Sequence, residues 1–124
     1  MEKNILVIDD EEAVRETVRL ALAYAGYSVF LASNGQEALR VLQQIPRPDV
    51  ILLDLMMPCS DGWEFVDALQ RNHSLASIPV VVVTAFPRLS KPIRAERLLE
   101  KPVDLGVLYS VVKEVSARTL NPGT

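Results

Sequence analysis

Ile5-Leu6-Val7-Ile8-Asp9-Asp10-Glu11-Glu12 is the stretch whose reading decides the fold. Four apolar residues in a row, with no polar alternation, describe a strand buried on both faces, and burial on both faces belongs to a parallel sheet covered by helices. The run stops at four acids, so the strand surfaces at its carboxyl end into an acidic loop. A helix follows, because Val14, Val18, Ala21, Leu22 and Ala25 recur at helical spacing and Gly26 is placed to stop it.

Outward from this unit the pattern repeats. Tyr27–Ala32 reads as a second strand, and Asn34 with Glu37 three residues later offers a capping box for a helix that buries Ala38, Leu39 and Leu42 before Pro46 and Pro48. A third apolar run, Val50 to Leu53, ends in Asp54. Asp61 with Glu64 repeats the capping pattern ahead of Phe65, Val66 and Leu69. The fourth run, Ile78 to Val83, ends in Thr84, and Leu98-Leu99 makes a short fifth ahead of Lys101-Pro102. Asp104 is placed to cap a last helix whose Leu105, Leu108, Val112 and Val115 share a face, while residues 118–124 carry no pattern and are expected to fray. Five strands alternating with helical segments predict an α/β fold, a doubly wound parallel sheet with helices on both faces.

The 124 residues, 49% of them apolar, fit one domain over 1–124. A net charge of −3, from 16 acidic and 13 basic residues, argues against direct nucleic-acid binding through the whole surface. No apolar run approaches the roughly 18 residues of a membrane span. Cys59 is the single cysteine, which fits a reducing compartment, and Met1-Glu2-Lys3-Asn4 does not read as a secretion signal. The expectation is a cytoplasmic chain with no membrane partner.

Chemistry concentrates at the strand ends. In open α/β sheets ligands sit beyond the carboxyl ends of the strands, and those ends here carry Asp9, Asp10, Asp54 and Thr84, with Lys101 after the fifth. If the first and third strands are neighbours, the three carboxylates cluster and repel one another unless a cation neutralises them. Mg²⁺ suits this setting, since it takes oxygen ligands and needs only one or two carboxylates plus a phosphate. A hydroxyl at Thr84 and an ammonium at Lys101 serve phosphate oxygens rather than a bare metal. Together these residues read as a phosphoryl site with an aspartate nucleophile. Plainer roles exist for each: acids at a helix start favour its dipole, as Glu11 and Glu12 also would, a strand-end threonine bonds backbone, and a lysine lies on the surface. His73 reads as a surface residue, Cys59 as incidental and Trp63 as packing.

Ile8-Asp9-Asp10, Asp54-Leu55-Met56-Met57-Pro58 with Gly62, Val83-Thr84-Ala85 and Lys101-Pro102, in this order and at strand ends, resemble the response-regulator receiver domain of two-component signalling over Asn4 to about Ala117. The resemblance implies a flavodoxin-like five-stranded sheet in the order 2-1-3-4-5. It implies phosphoryl acceptance on Asp54 from a phosphohistidine of a sensor histidine kinase or phosphotransfer protein. Mg²⁺ would be held by Asp10, Asp54 and the Met56 carbonyl, with Asp9 assisting through water; Thr84 and Lys101 would bind the phosphoryl oxygens. Lys101-Pro102 is expected to be cis, and the output partner is unknown.

The chain departs from that family in its fourth crossover. Only 17 positions separate Thr84 from Lys101, fewer than receivers usually have, and Pro87 and Pro92 lie between them. The fourth helix is therefore expected to be shortened or irregular, starting at or after Pro92. Leu98 stands where many receivers carry a tyrosine or phenylalanine that switches rotamer. Arg88, Lys91, Arg94 and Arg97 against Glu96 make this stretch locally basic. The altered crossover leaves room for a receiver-like scaffold that binds partners without phosphorylation. A Mg²⁺-dependent aspartate-nucleophile phosphatase shares the carboxylates, but it would need a cap for which 124 residues leave no room.

Overall fold

All five apolar runs form strands, and all five strands run parallel. The computed structural model describes residues 3–55, 62–86, 88–89 and 92–118. Along the chain these make β1 (Asn4–Ile8), α1 (Glu12–Tyr24), β2 (Ser28–Ala32), α2 (Gly35–Leu42), β3 (Val50–Asp54), α3 (Gly62–Gln70), β4 (Val80–Thr84), β5 (Arg97–Glu100) and α4 (Leu105–Arg118). The sheet order is β2-β1-β3-β4-β5, the flavodoxin-like order the sequence resemblance implied.

Alternation along each strand divides the core in two. Leu6, Ile8, Ile51, Leu53, Val80 and Val82 face α2 and α3, where Ala38, Leu42, Phe65, Val66 and Leu69 meet them. Ile5, Val7, Val50, Leu52 and Val81 face α1 and α4, against Leu22, Leu108, Val111, Val112 and Val115. Both faces of the three central strands are thus removed from water, which is why their sequences are unbroken apolar runs.

Local signals fix the helix ends. After α1, the Tyr27 N–H donates to the Leu22 carbonyl and the Gly26 N–H to that of Ala23, with Gly26 at φ +101°, a paired closure that needs the left-handed region glycine tolerates. Tyr27 belongs to this closure, so β2 begins one residue later than the sequence suggests. At the start of α2, Asn34 Oδ1 accepts from the Glu37 N–H at 2.8 Å and Glu37 Oε1 accepts from the Ser33 N–H at 2.6 Å. Asp104 Oδ1 accepts from the Val107 N–H at 3.1 Å and caps α4. The proposed cap at Asp61 lies outside the described residues. Leu105 departs from its expected burial: it is 39% exposed while Leu108, Val112 and Val115 are buried, because it lines an open cavity at the carboxyl ends of the strands.

The fourth crossover goes further than the sequence foretold. None of its described residues is helical, so the short helix expected after Pro92 is absent there. Leu89 and Ile93 pack individually against the α2–α3 core, and Trp63 Nε1 donates to the Pro92 carbonyl at 3.2 Å. Leu98, on that side of the edge strand β5, is consequently 42% exposed.

Candidate functional site

Parallel register brings the chemistry together at one rim of the sheet. Ile8 pairs with Leu53, Asp54 with Val83 and Thr84 with Glu100, so Asp9, Asp54, Thr84 and Lys101 end four adjacent strands at nearly one level. Asp9 and Asp54 are buried, and Asp10 is exposed. One carboxylate oxygen from each of Asp9, Asp10 and Asp54 lies within 4.8 Å of the others.

Lys101 holds the two buried acids. Its Nζ donates to Asp9 Oδ2 at 3.0 Å and stands 3.3 Å from Asp54 Oδ2, with its own side chain 18% exposed. Burial alone would lower the pKa of this ammonium, but the hydrogen bond it donates to Asp9 and the charges of Asp54 and Asp9 outweigh that cost and hold it above the ordinary lysine value. The β5–α4 junction is a cis Lys101-Pro102 peptide, as expected.

Asp9 is fixed on three further sides. Its N–H donates to the Ala32 carbonyl at 3.1 Å, its Oδ1 accepts from the Glu11 N–H at 2.9 Å, and its carbonyl accepts from Arg15 Nη1 at 2.7 Å. Thr84 is fully buried, and its Oγ1 accepts from the Phe86 N–H at 3.1 Å, which is the plainer role a strand-end hydroxyl can take. A backbone bond from the Lys101 N–H to the Thr84 carbonyl, at 2.8 Å, joins the two residues. Met56, the remaining expected ligand, lies outside the described residues, as does Cys59. His73 is exposed.

The donor set fits a hard divalent cation. Three convergent carboxylates against one ammonium leave two formal negative charges, and oxygen is the ligand such cations take. Beside the acids a cavity of about 480 Å³ opens between α1 and the β5–α4 turn, walled by aliphatic side chains such as Val14, Val18, Leu52 and Leu108. That wall lowers the local dielectric and strengthens the charge interactions next to it.

Two contacts escape a reading of the sequence: Arg15 on the Asp9 carbonyl, and Glu11 Oε1 at 3.7 Å from Lys101 Nζ. The only linear hint at Glu11 is a long acid at a helix start, where shorter cap-forming residues are preferred.

A parallel 2-1-3-4-5 sheet with acids on the ends of its first and third strands, a buried hydroxyl on the fourth and a lysine after the fifth defines a flavodoxin-like α/β protein with an acidic pocket at its carboxyl rim. Residues 5–120 match the family model of the response regulator receiver domain, and the chain belongs to that family, the receiver domain of two-component response regulators. It is 38% identical over 124 aligned positions to the response regulator MprA of Mycolicibacterium vanbaalenii, a match covering 96% of this chain and 52% of that protein. The chain thus spans about half the length of the curated relatives it matches. Among solved structures it is similar to the chemotaxis protein CheY4 of Vibrio cholerae, with TM-score 0.82, 30% identity and coverage of 93% of this chain and 99% of that one. It is also similar to the response regulator TrrA of Thermotoga maritima in complex with Mg(2+)-BeF, with TM-score 0.80, 28% identity and coverage of 91% and 98%. Among the described residues no helix is long and apolar enough to cross a membrane.

Proposed function

We propose that this receiver domain accepts a phosphoryl group on Asp54 from a phosphohistidine of a partner kinase or phosphotransfer protein in the cytoplasm, and that the modification switches binding to an output partner. The observation that carries this reading is the convergence of three carboxylates and one ammonium on the strand ends. In the transfer the P–N bond of the donor breaks, a P–O bond to an Asp54 carboxylate oxygen forms, and the freed imidazole nitrogen takes a proton. Asp9, Asp10 and Asp54 would hold Mg²⁺, together with the expected Met56 carbonyl, and the ion supplies positive charge against the developing phosphoryl oxygens. The Mg(2+)-BeF complex of the structurally similar TrrA supports that assignment. Lys101, already beside Asp54, turns its ammonium to the new oxygens, and the Thr84 hydroxyl exchanges the Phe86 N–H for a phosphoryl oxygen to which it donates.

Incubation with acetyl phosphate and Mg²⁺, followed by intact mass, tests the reading. One phosphoryl group per chain, absent from Asp54→Asn and absent in excess EDTA, is expected. An unmodified wild-type chain supports the non-phosphorylated scaffold instead, and turnover of external phosphoesters supports a phosphatase.

A further inference from the structure

Glu11 occupies the N-cap position of α1, where short polar side chains are preferred because they reach the free N–H groups of the first turn. Its side chain makes no capping bond. The carboxylate reaches over the site instead, with Oε1 3.7 Å from Lys101 Nζ, so the ammonium is surrounded by Asp9, Asp54 and Glu11. Asp9 and Asp54 hold it from within, while the Glu11 side chain is 64% exposed and pulls from the solvent rim. Glu12, the next acid, makes no ion pair among the described residues, which makes it a natural control.

We propose that Glu11 is a positioning residue that keeps part of the Lys101 ammonium engaged at the rim and thereby opposes its transfer to a phosphoryl group on Asp54. The role rests on the phosphoacceptor reading of Asp54. At 3.7 Å the contact is an ion pair without a hydrogen bond, so the Glu11 carboxylate acts by attraction, drawing the ammonium toward the rim and away from an arriving phosphoryl oxygen. The same carboxylate adds negative charge where an anionic donor enters. Both effects have one sign toward phosphoryl groups, and the charge has the opposite sign toward a cation. Because the Glu11 carboxylate is exposed, the weight of the pair is modest, about two- to fivefold in an affinity.

The test uses Glu11→Gln, which keeps length and removes charge. At saturating Mg²⁺, beryllofluoride should bind about two- to fivefold more tightly than to wild type, and the gain should shrink in high salt. Mg²⁺ alone should bind equally or more weakly. A gain for beryllofluoride with none for Mg²⁺ separates positioning from structural damage, which would weaken both. Glu12→Gln should show no comparable gain; an equal gain there, or none in Glu11→Gln, overturns the proposal. In the protein without beryllofluoride, the Lys101 side-chain ammonium resonance should move in Glu11→Gln and stay in Glu12→Gln. An unmoved resonance also overturns it. Should wild type take up neither beryllofluoride nor a phosphoryl group, the phosphoacceptor reading fails, while the resonance still decides whether Glu11 engages Lys101.

Discussion

Gly62 lies against Leu55, the residue that follows Asp54, so closely that a Cβ on Gly62 would stand 2.7 Å from Leu55 Cδ1 and 3.2 Å from both its Cα and its carbonyl oxygen. The side-chain atom could turn away, but the backbone atoms could not without displacing the end of β3. Gly62→Ala is therefore expected to destabilise the fold by about 1–2 kcal/mol, since overpacking costs roughly 1–3 kcal/mol and the gain in helix propensity at a first helical position is smaller. Urea unfolding measures the cost, and an unchanged midpoint would show that Leu55 yields freely.

Removing the Lys101 charge leaves Asp9 and Asp54 facing each other without their shared cation. Breaking a wholly buried pair costs about 3–5 kcal/mol, and partial access to solvent reduces that, so Lys101→Gln should lose about 1–3 kcal/mol in EDTA. Added Mg²⁺ should restore more stability to this variant than to wild type, because binding to the native state alone stabilises by mass action. Melting temperatures with and without Mg²⁺ provide the comparison; equal increments would contradict the charge-sharing role.

The raised pKa of Lys101 sets a pH window. A raised folded-state value means that the contribution of the ammonium is complete below the unfolded value near 10.5 and is lost as pH rises through the higher folded value. The stability difference between wild type and Lys101→Gln, measured in EDTA, should therefore be flat from neutral pH to about 10 and shrink above it. A difference already falling near neutrality would place the ammonium elsewhere.

Trp63 ties α3 to the fourth crossover through the Pro92 carbonyl. Trp63→Phe keeps a ring and deletes the donor, with an expected loss of about 1 kcal/mol confined to local opening, or roughly fivefold faster amide exchange at Ile93–Glu96. Val80–Val82, inside the sheet, should exchange as before. Equal protection of the crossover in both proteins would show that Leu89 and Ile93 suffice to hold it.

The strands were legible because burial on both faces writes itself into sequence as an unbroken apolar run, as in Ile5–Ile8 and Val50–Leu53. Asn34, Gly26 and Asp104 were legible because caps depend on neighbours a few residues away. Leu105 shares helical spacing with Leu108 but not its burial, since spacing gives a face and not where along that face a cavity opens. The prolines excluded a long fourth helix without revealing that the Trp63 indole would support the chain that replaced it. Within the site, Asp9, Asp10, Asp54, Thr84 and Lys101 stood out by their strand ends, whereas the Glu11–Lys101 contact joins residues far apart in sequence and Glu11 looked no different from Glu12.

β5 is an edge strand of four residues, alternately half-buried and exposed, and Lys101, whose ammonium pairs with the carboxylates of both Asp9 and Asp54, follows directly after it. The acids, by contrast, end the interior strands β1 and β3. Edge strands detach from a sheet at lower free energy than central ones, so thermal fraying of β5 removes the counter-charge while leaving the carboxylates in place. Each such excursion turns a partly neutralised rim into a stronger electrostatic trap for mobile cations, and a cation caught there discourages the strand from returning its lysine to the same position. Occupancy of the acidic rim and the breathing of the sheet margin are in this way a single coupled equilibrium.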